Sequence, residues 1–392
     1  MKMKPALMMA GMMLLLTACG AKQGAEAPAA TVAAEAAEAA EAQTEVAAEA
    51  QSAETAEVPA TEAAAEYTEE EPDYVEDTVL STELFSMTVP DELKGTFLGY
   101  IKDNEISLYD KACNEDGFGG FIFSVIADKD GEVMAGGMYT KVGELTDSNG
   151  EVYDVCRSYP SDVQWDYEKY EDTPETYARL SDAVDGMIRG IKGLNGATFE
   201  YGAGMKGEEL YGQTVEKYET AIKEGWDADK LEKEGMSPEL FAEHDEMGYA
   251  YKDISNDGVD ELLVGVISDG SEPSVVYDIY TMVKRKPASV VSGSARNSYR
   301  AMQYGGVANV FSSSAMESGI RVYIIEPGTS DLFFQYGIKY DGYTDEKNPW
   351  YTGTGSGEAD DEWEPASEED YDMWEQRATE NFAKIDFIPF SK

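Results

Sequence analysis

Residues 21–77 hold almost nothing that can be buried. The stretch is built from Ala, Glu, Thr, Val, Pro and Gln, and its VAAEAAEAAEA run sets Glu35, Glu38 and Glu41 three residues apart. On a helix these like charges share one face and repel, with no Lys among them to pair. Ala favours helix, yet no apolar face exists to pack. The segment therefore reads as a disordered, self-repelling stalk. A flexible chain of roughly 57 residues spans about 40–45 Å. A packed core has to come from the residues beyond it.

Those residues are sufficient. The chain has 392 residues, 42% of them hydrophobic, which is enough for two ordinary domains and extras. Its charge is one-sided, with 78 Asp and Glu against 30 Lys and Arg and a net of −48. This argues against nucleic acid as a partner, because phosphate binding needs clustered cations. An anionic bilayer would repel the folded body as well.

Membrane attachment is expected from the N-terminus instead. Lys2 and Lys4 precede an apolar run from Ala6 to Leu16. That run is too short to span a bilayer, which takes roughly 20 residues, and it has the layout of a secretory signal peptide. It ends in Leu16-Thr17-Ala18-Cys19-Gly20. The ending resembles the lipobox of bacterial lipoproteins at every position. The resemblance implies cleavage after residue 18 and acylation of Cys19, with residues 19–79 forming lipidated Cys and linker. Acyl chains hold by about 0.8 kcal/mol per buried CH₂, so two or three chains anchor firmly.

Residues 80–207 read as a first folded domain. Phe85, Met87 and Val89 alternate before Pro90; TFLGYIKDNEISLYDKAC reads as two strands around Asp103-Asn104; GFIFSVIADKDG and the segment after Asn149-Gly150 read as further strands. Thr173 as N-cap and Pro174 as first residue open a helix whose apolar stripe is Leu180, Val184, Ile188 and Ile191. Residues 208–392 read as a second domain. Helices come first (TVEKYETAIKEGW, DADKLEKEG, SPELFAEHDE), then six strand-like runs from GYAYKDI to LFFQYGIKYDG. A last helix starts at Ser367, with Asp370 completing a capping box. Both regions fit α+β, mainly antiparallel sheet with covering helices.

FSMTVPDEL, ISLYDKA, GGFIFSVIA, YPSDVQWD and, later, EKNPWY resemble motifs of two-domain surface lipoproteins of clostridial bacteria. The layout of the first domain also resembles the PsbP-like sandwich. The first resemblance implies a Gram-positive cell, with the protein anchored on the outer face of the cytoplasmic membrane. Neither resemblance implies an activity.

The most chemical-looking segment is DISNDGVDE. Asp253, Ser255 and Asp257 stand at positions 1, 3 and 5, Gly258 at 6, Val259 at 7 and Glu261 at 9. Calcium takes six to eight oxygens, and this spacing supplies most of them, Val259 through its carbonyl. Position 12 is Val264 where an EF-hand has Glu, and the flanks read as strands. The loop resembles the Dx[DNS]xDGxx[DE]L loops of calcium-binding β-repeats, which implies a structural Ca²⁺. The other reading is a metal-free hairpin turn, for which Asp, Asn and Gly are also suited.

Cys113 and Cys156 both fall on expected strands, in a compartment that permits a disulfide. They read either as a bridge or as two buried thiols. His244 is the single histidine, near a helix end, where such residues commonly meet exposed carbonyls. No G-x-S-x-G surrounds a Ser, and no Gly-rich run leads into a helix as phosphate binding requires. Trp350 and Tyr351 in NPWY are candidates for sugar or protein contact or for core packing. The function that fits is a non-catalytic binding module for an envelope protein or glycan, displayed on the stalk. The alternatives are a carboxylate-dependent glycan hydrolase, which requires two inward carboxyl groups about 5–9 Å apart, and a solute-capturing transporter subunit.

Overall fold

The computed structural model describes residues 73–240, 247–267, 273–355 and 363–390. Cys19, nearly all of the stalk and His244 lie outside the described residues. Among the described residues every named strand pairs antiparallel, and helices are few. None of those helices is long and apolar enough to cross a membrane.

Residues 97–201 form a six-stranded sheet in the order 97–102, 105–110, 121–128, 152–158, 140–146, 198–201. Its first hairpin closes as expected. Lys102 pairs with Glu105, and Asp103 takes a left-handed φ of 52°, which Asp tolerates better than most residues. A three-stranded sheet of Val79–Ser81, Phe85–Thr88 and Lys192–Gly193 and the helix Glu175–Arg189 pack with it around one core. The helix buries Tyr177, Leu180, Val184, Met187 and Ile188, a stripe at 3.6-residue spacing. Each such side chain stabilises by about 1.5–3 kcal/mol. Pro174, not Thr173, occupies the N-cap, and no side chain caps this helix.

Residues 247–389 form an eleven-stranded sheet. Strand Glu261–Val266 is buried along nearly its whole length. Leu262 and Val264 enter the core under helix Gly212–Glu224, and Leu263 enters a second core on the opposite face. Period-two alternation with both faces covered explains the unbroken apolar run. Helix Glu368–Glu380 covers a third cluster, and its Ser367–Asp370 capping box is formed as expected. Residues Glu71–Lys392 cluster as one compact unit.

The thiols are unbridged. Cys113 and Cys156 are both free and buried. Cys113 does not lie on a strand. It lies in the short helix Lys111–Glu115, whose N-cap Asp110 accepts a hydrogen bond from the Cys113 N–H at 2.8 Å. It packs into the core shared by Tyr153 and Val155. Cys156 follows Val155 on the same strand, so its side chain faces the other side of the sheet. A bridge needs the two Cβ atoms roughly 3.5–4.5 Å apart, which opposite faces do not allow. Trp350 and Tyr351, the candidates for ligand contact or core packing, lie in the eleven-stranded sheet. They begin strand Trp350–Thr354. Trp350 is half-buried between Tyr340 and Tyr371, at ring distances of 5.1 and 4.8 Å, and Tyr351 is buried. Packing accounts for both.

Candidate functional site

Lys252 pairs with Glu261, so residues 253–260 form one long hairpin loop. Its acidic groups are used to fold it. Asp253 accepts from the N–H of Asn256 (2.7 Å) and of Gly258 (3.0 Å). Asp257 accepts from Val259 N–H at 2.9 Å, and Ser255 Oγ from Asp257 N–H at 3.4 Å. Glu261, with no exposed surface, turns back beneath the loop and accepts from Ile254 N–H (2.7 Å), Ser255 N–H (3.2 Å) and the Thr281 hydroxyl (3.0 Å). Burial raises the pKa of Asp253 and of Asp257. It raises that of Glu261 to about 8, with the neighbouring Asp257 charge adding to the effect.

As a calcium site the loop fits in spacing better than in aim. The side chains of Asp253, Ser255, Asp257 and Glu261 are engaged by loop N–H groups, and Glu261 also holds Thr281. Val259 itself is buried in an apolar core. Among the described residues no set of three His, Cys, Asp or Glu side chains is arranged to hold a metal.

The loop is docked on the six-stranded sheet. Lys141 N–H donates to Asp257 O at 2.7 Å. Gly258 sits against the same strand with φ +88°, and a Cβ there would lie 2.4 Å from Lys141 O. Glycine is required twice over at this position, by conformation and by contact.

Beside the loop lies a chamber of about 210 Å³ with residues from both sheets on its walls. Lys141, Glu144 and Asp154 come from the six-stranded sheet, and Met282, Lys284 and Arg285 from the hairpin 276–292. Lys141, 4% exposed, reaches Asp154 at 2.8 Å and Glu144 at 2.9 Å. Arg285 Nε reaches the same Asp154 oxygen at 3.1 Å, and its Nη2 donates to Asp128 O at 3.1 Å. A buried charge is tolerated only when paired in this way. Leu210 and Arg285 also line a wider groove of about 740 Å³. Chamber and groove are therefore neighbours that share these two side chains.

A second polar centre lies under that groove. Asp278, fully buried, accepts from Tyr218 OH (2.6 Å), Ser237 N–H (2.9 Å) and Ser292 Oγ (2.7 Å). Burial raises its pKa to about 6, opposed by the Tyr218 and Ser237 hydrogen bonds. Tyr280, which lines the groove, joins through Tyr218. Of the expected site residues within the described chain, Val259 alone lines the chamber, and none belongs to this network. The one sequence signal for the second was a carboxylate within the apolar run VVYDIYTM. Comparison with known proteins returns nothing: no family model, no curated protein and no solved structure matches the chain.

Proposed function

We propose that the chain is a binding module of the bacterial envelope, held to the membrane by acylated Cys19, and that its ligand enters the chamber between the two sheets and the neighbouring groove beside helix Gly212–Glu224. The observation that carries this reading is the chamber itself: a cavity walled by both sheets, with a few charged groups on a largely apolar lining, next to a larger groove with which it shares Leu210 and Arg285. Ligand sites favour concave places where separate elements meet and a few polar groups converge. The DISNDGVDE loop supports the reading as a clasp, since it fixes strand 140–146 on the chamber wall. The hydrolase alternative draws on Glu144 and Asp154, but both already engage Lys141 and Asp154 also engages Arg285.

The test is a thermal-shift screen of the full chain against envelope saccharides and small polar solutes. A ligand-dependent rise in Tm, lost in Leu210→Trp, is expected, because Leu210 lines both groove and chamber and a larger side chain there would fill space in each. A rise that Leu210→Trp leaves intact, or no rise with any solute, would sink the proposal. Release of a cleaved glycan product would favour the hydrolase instead.

A further inference from the structure

The chamber walls invert the charge balance of the chain. Across the sequence acids outnumber bases 78 to 30. The chamber sets Lys141, Lys284 and Arg285 against Glu144 and Asp154. Glu132, the partner of Lys284, brings the local charges to balance, so an anion gains the Lys284 ammonium by displacing Glu132; more distant acids are screened over about 8 Å at physiological ionic strength.

Two of these cations occupy costly positions. Lys284 and Arg285 are the two-residue turn between paired Val283 and Lys286, and their φ values are +49° and +60°. Such turns favour Asn-Gly, and a residue with a long side chain held there costs on the order of 1 kcal/mol or more. The turn nonetheless carries two cationic head groups. Arg285 uses Nε and Nη2 on the protein, and among the described residues no partner holds Nη1. Among the described residues Lys284 pairs with Glu132 alone, and both side chains are more than half exposed. An exposed pair of this kind is worth about 0–1 kcal/mol, so an incoming anion can exchange for Glu132.

Two wall glycines pack closely against these charged groups. A Cβ on Gly204 would lie 1.8 Å from Glu144 Oε1 and 2.7 Å from Lys141 Nζ, and one on Gly131 would lie 3.3 Å from Asp154 Oδ2. The chamber is smaller than the roughly 300–1,000 Å³ of drug-sized sites, so it suits one small polar group with the rest of a ligand in the groove.

Resting on the cleft reading above, we infer that the chamber takes a small solute bearing a carboxylate. The carboxylate lies on Arg285 Nη1 and the Lys284 ammonium, and hydroxyl or ammonium hydrogens of the solute meet Glu144. A sugar acid and an amino acid share this chemistry. The experiment is calorimetric titration of the full chain with glucuronate, glutamate and the neutral control glucose, on wild type, Lys284→Gln and Arg285→Gln, with Tm measured to confirm folding. One of the two acids should bind at least tenfold more tightly than glucose, weaken severalfold in Lys284→Gln and be lost in Arg285→Gln. Which acid binds identifies the source. Glucose binding as well as glucuronate would overturn the inference and leave the cleft reading standing. Acid binding unaffected by both substitutions would place the site elsewhere and overturn the inference too. Binding of none of the three would overturn the inference, and if the solute screen were also blank, the cleft reading would fall with it.

Discussion

Replacing Glu261 by Gln removes one ionisable group and keeps its shape. The amide oxygen can still accept from Ile254 and Ser255, and the amide N–H can donate to the Thr281 hydroxyl. The carboxyl titrates near 4.5 in the unfolded chain and near 8 in the folded one, because burial disfavours its charge. Between these values the native state binds the extra proton, so stability falls as pH rises. The contribution is fully present below about pH 4.5 and gone above about pH 8. At roughly 1.4 kcal/mol per pH unit the loss is on the order of 5 kcal/mol. Asp253, Asp257 and Asp278 are shifted in the same direction. Only the difference between wild type and Glu261→Gln therefore isolates this group. Chemical denaturation in the presence of a chelator should show the two proteins alike near pH 4.5 and the variant more stable by several kcal/mol at pH 9. A difference that stays flat from pH 5 to 9 would refute the argument. So would calcium restoring wild-type stability at pH 9, because a cation would then be taking the place of the proton.

Gly258→Ala should destabilise by about 2–4 kcal/mol in denaturant melts, from a left-handed backbone and a Cβ 2.4 Å from Lys141 O. Asp154→Ala should cost about 3–5 kcal/mol by the same measurement, since it strips buried Lys141 of one partner and Arg285 of its carboxylate. Cys113 and Cys156 should resist maleimide at pH 8 until the protein is unfolded. Burial lifts the Cys113 thiol to about 12 and raises Cys156 also, so rapid native labelling of either would contradict their placement. Cys19→Ala should release the protein from membranes; retention in the membrane fraction would sink the lipid anchor.

Local signals in the sequence were legible where one short segment settles its own structure. The Asp103-Asn104 hairpin, the stripe of helix 175–189 and the Ser367–Asp370 capping box are of this kind. The flanking strands of the DISNDGVDE loop are another. Strand Thr140–Thr146 was missed because buried Lys141 interrupts its apolar alternation, and only Asp154 and Glu144 make that burial tolerable. Cys113 was misplaced although Asp110 is a good N-cap and Gly117 a good stop. The apolar alternation of the preceding strand outweighed both. The chamber was out of reach for a different reason. Asp154 and Arg285 stand 131 residues apart, and nothing local to either shows that the two sheets bring them together.

Lys141 ties the loop to the chamber. Its main-chain N–H is held by Asp257 O, and its ammonium is held by Asp154 and Glu144 inside the chamber. The loop that supplies Asp257 O keeps its shape through Asp253, Asp257 and Glu261, whose protonation depends on pH. A charge gained under the loop therefore acts next to Lys141, which is part of the chamber wall. Stability alone would not reveal this link, because any core lesion lowers Tm. A pH-dependent change in solute affinity, absent in Glu261→Gln and unaccompanied by unfolding, would. On this reasoning the calcium-like segment is a clasp beside the proposed ligand cleft, and its acidity matters through the strand it holds.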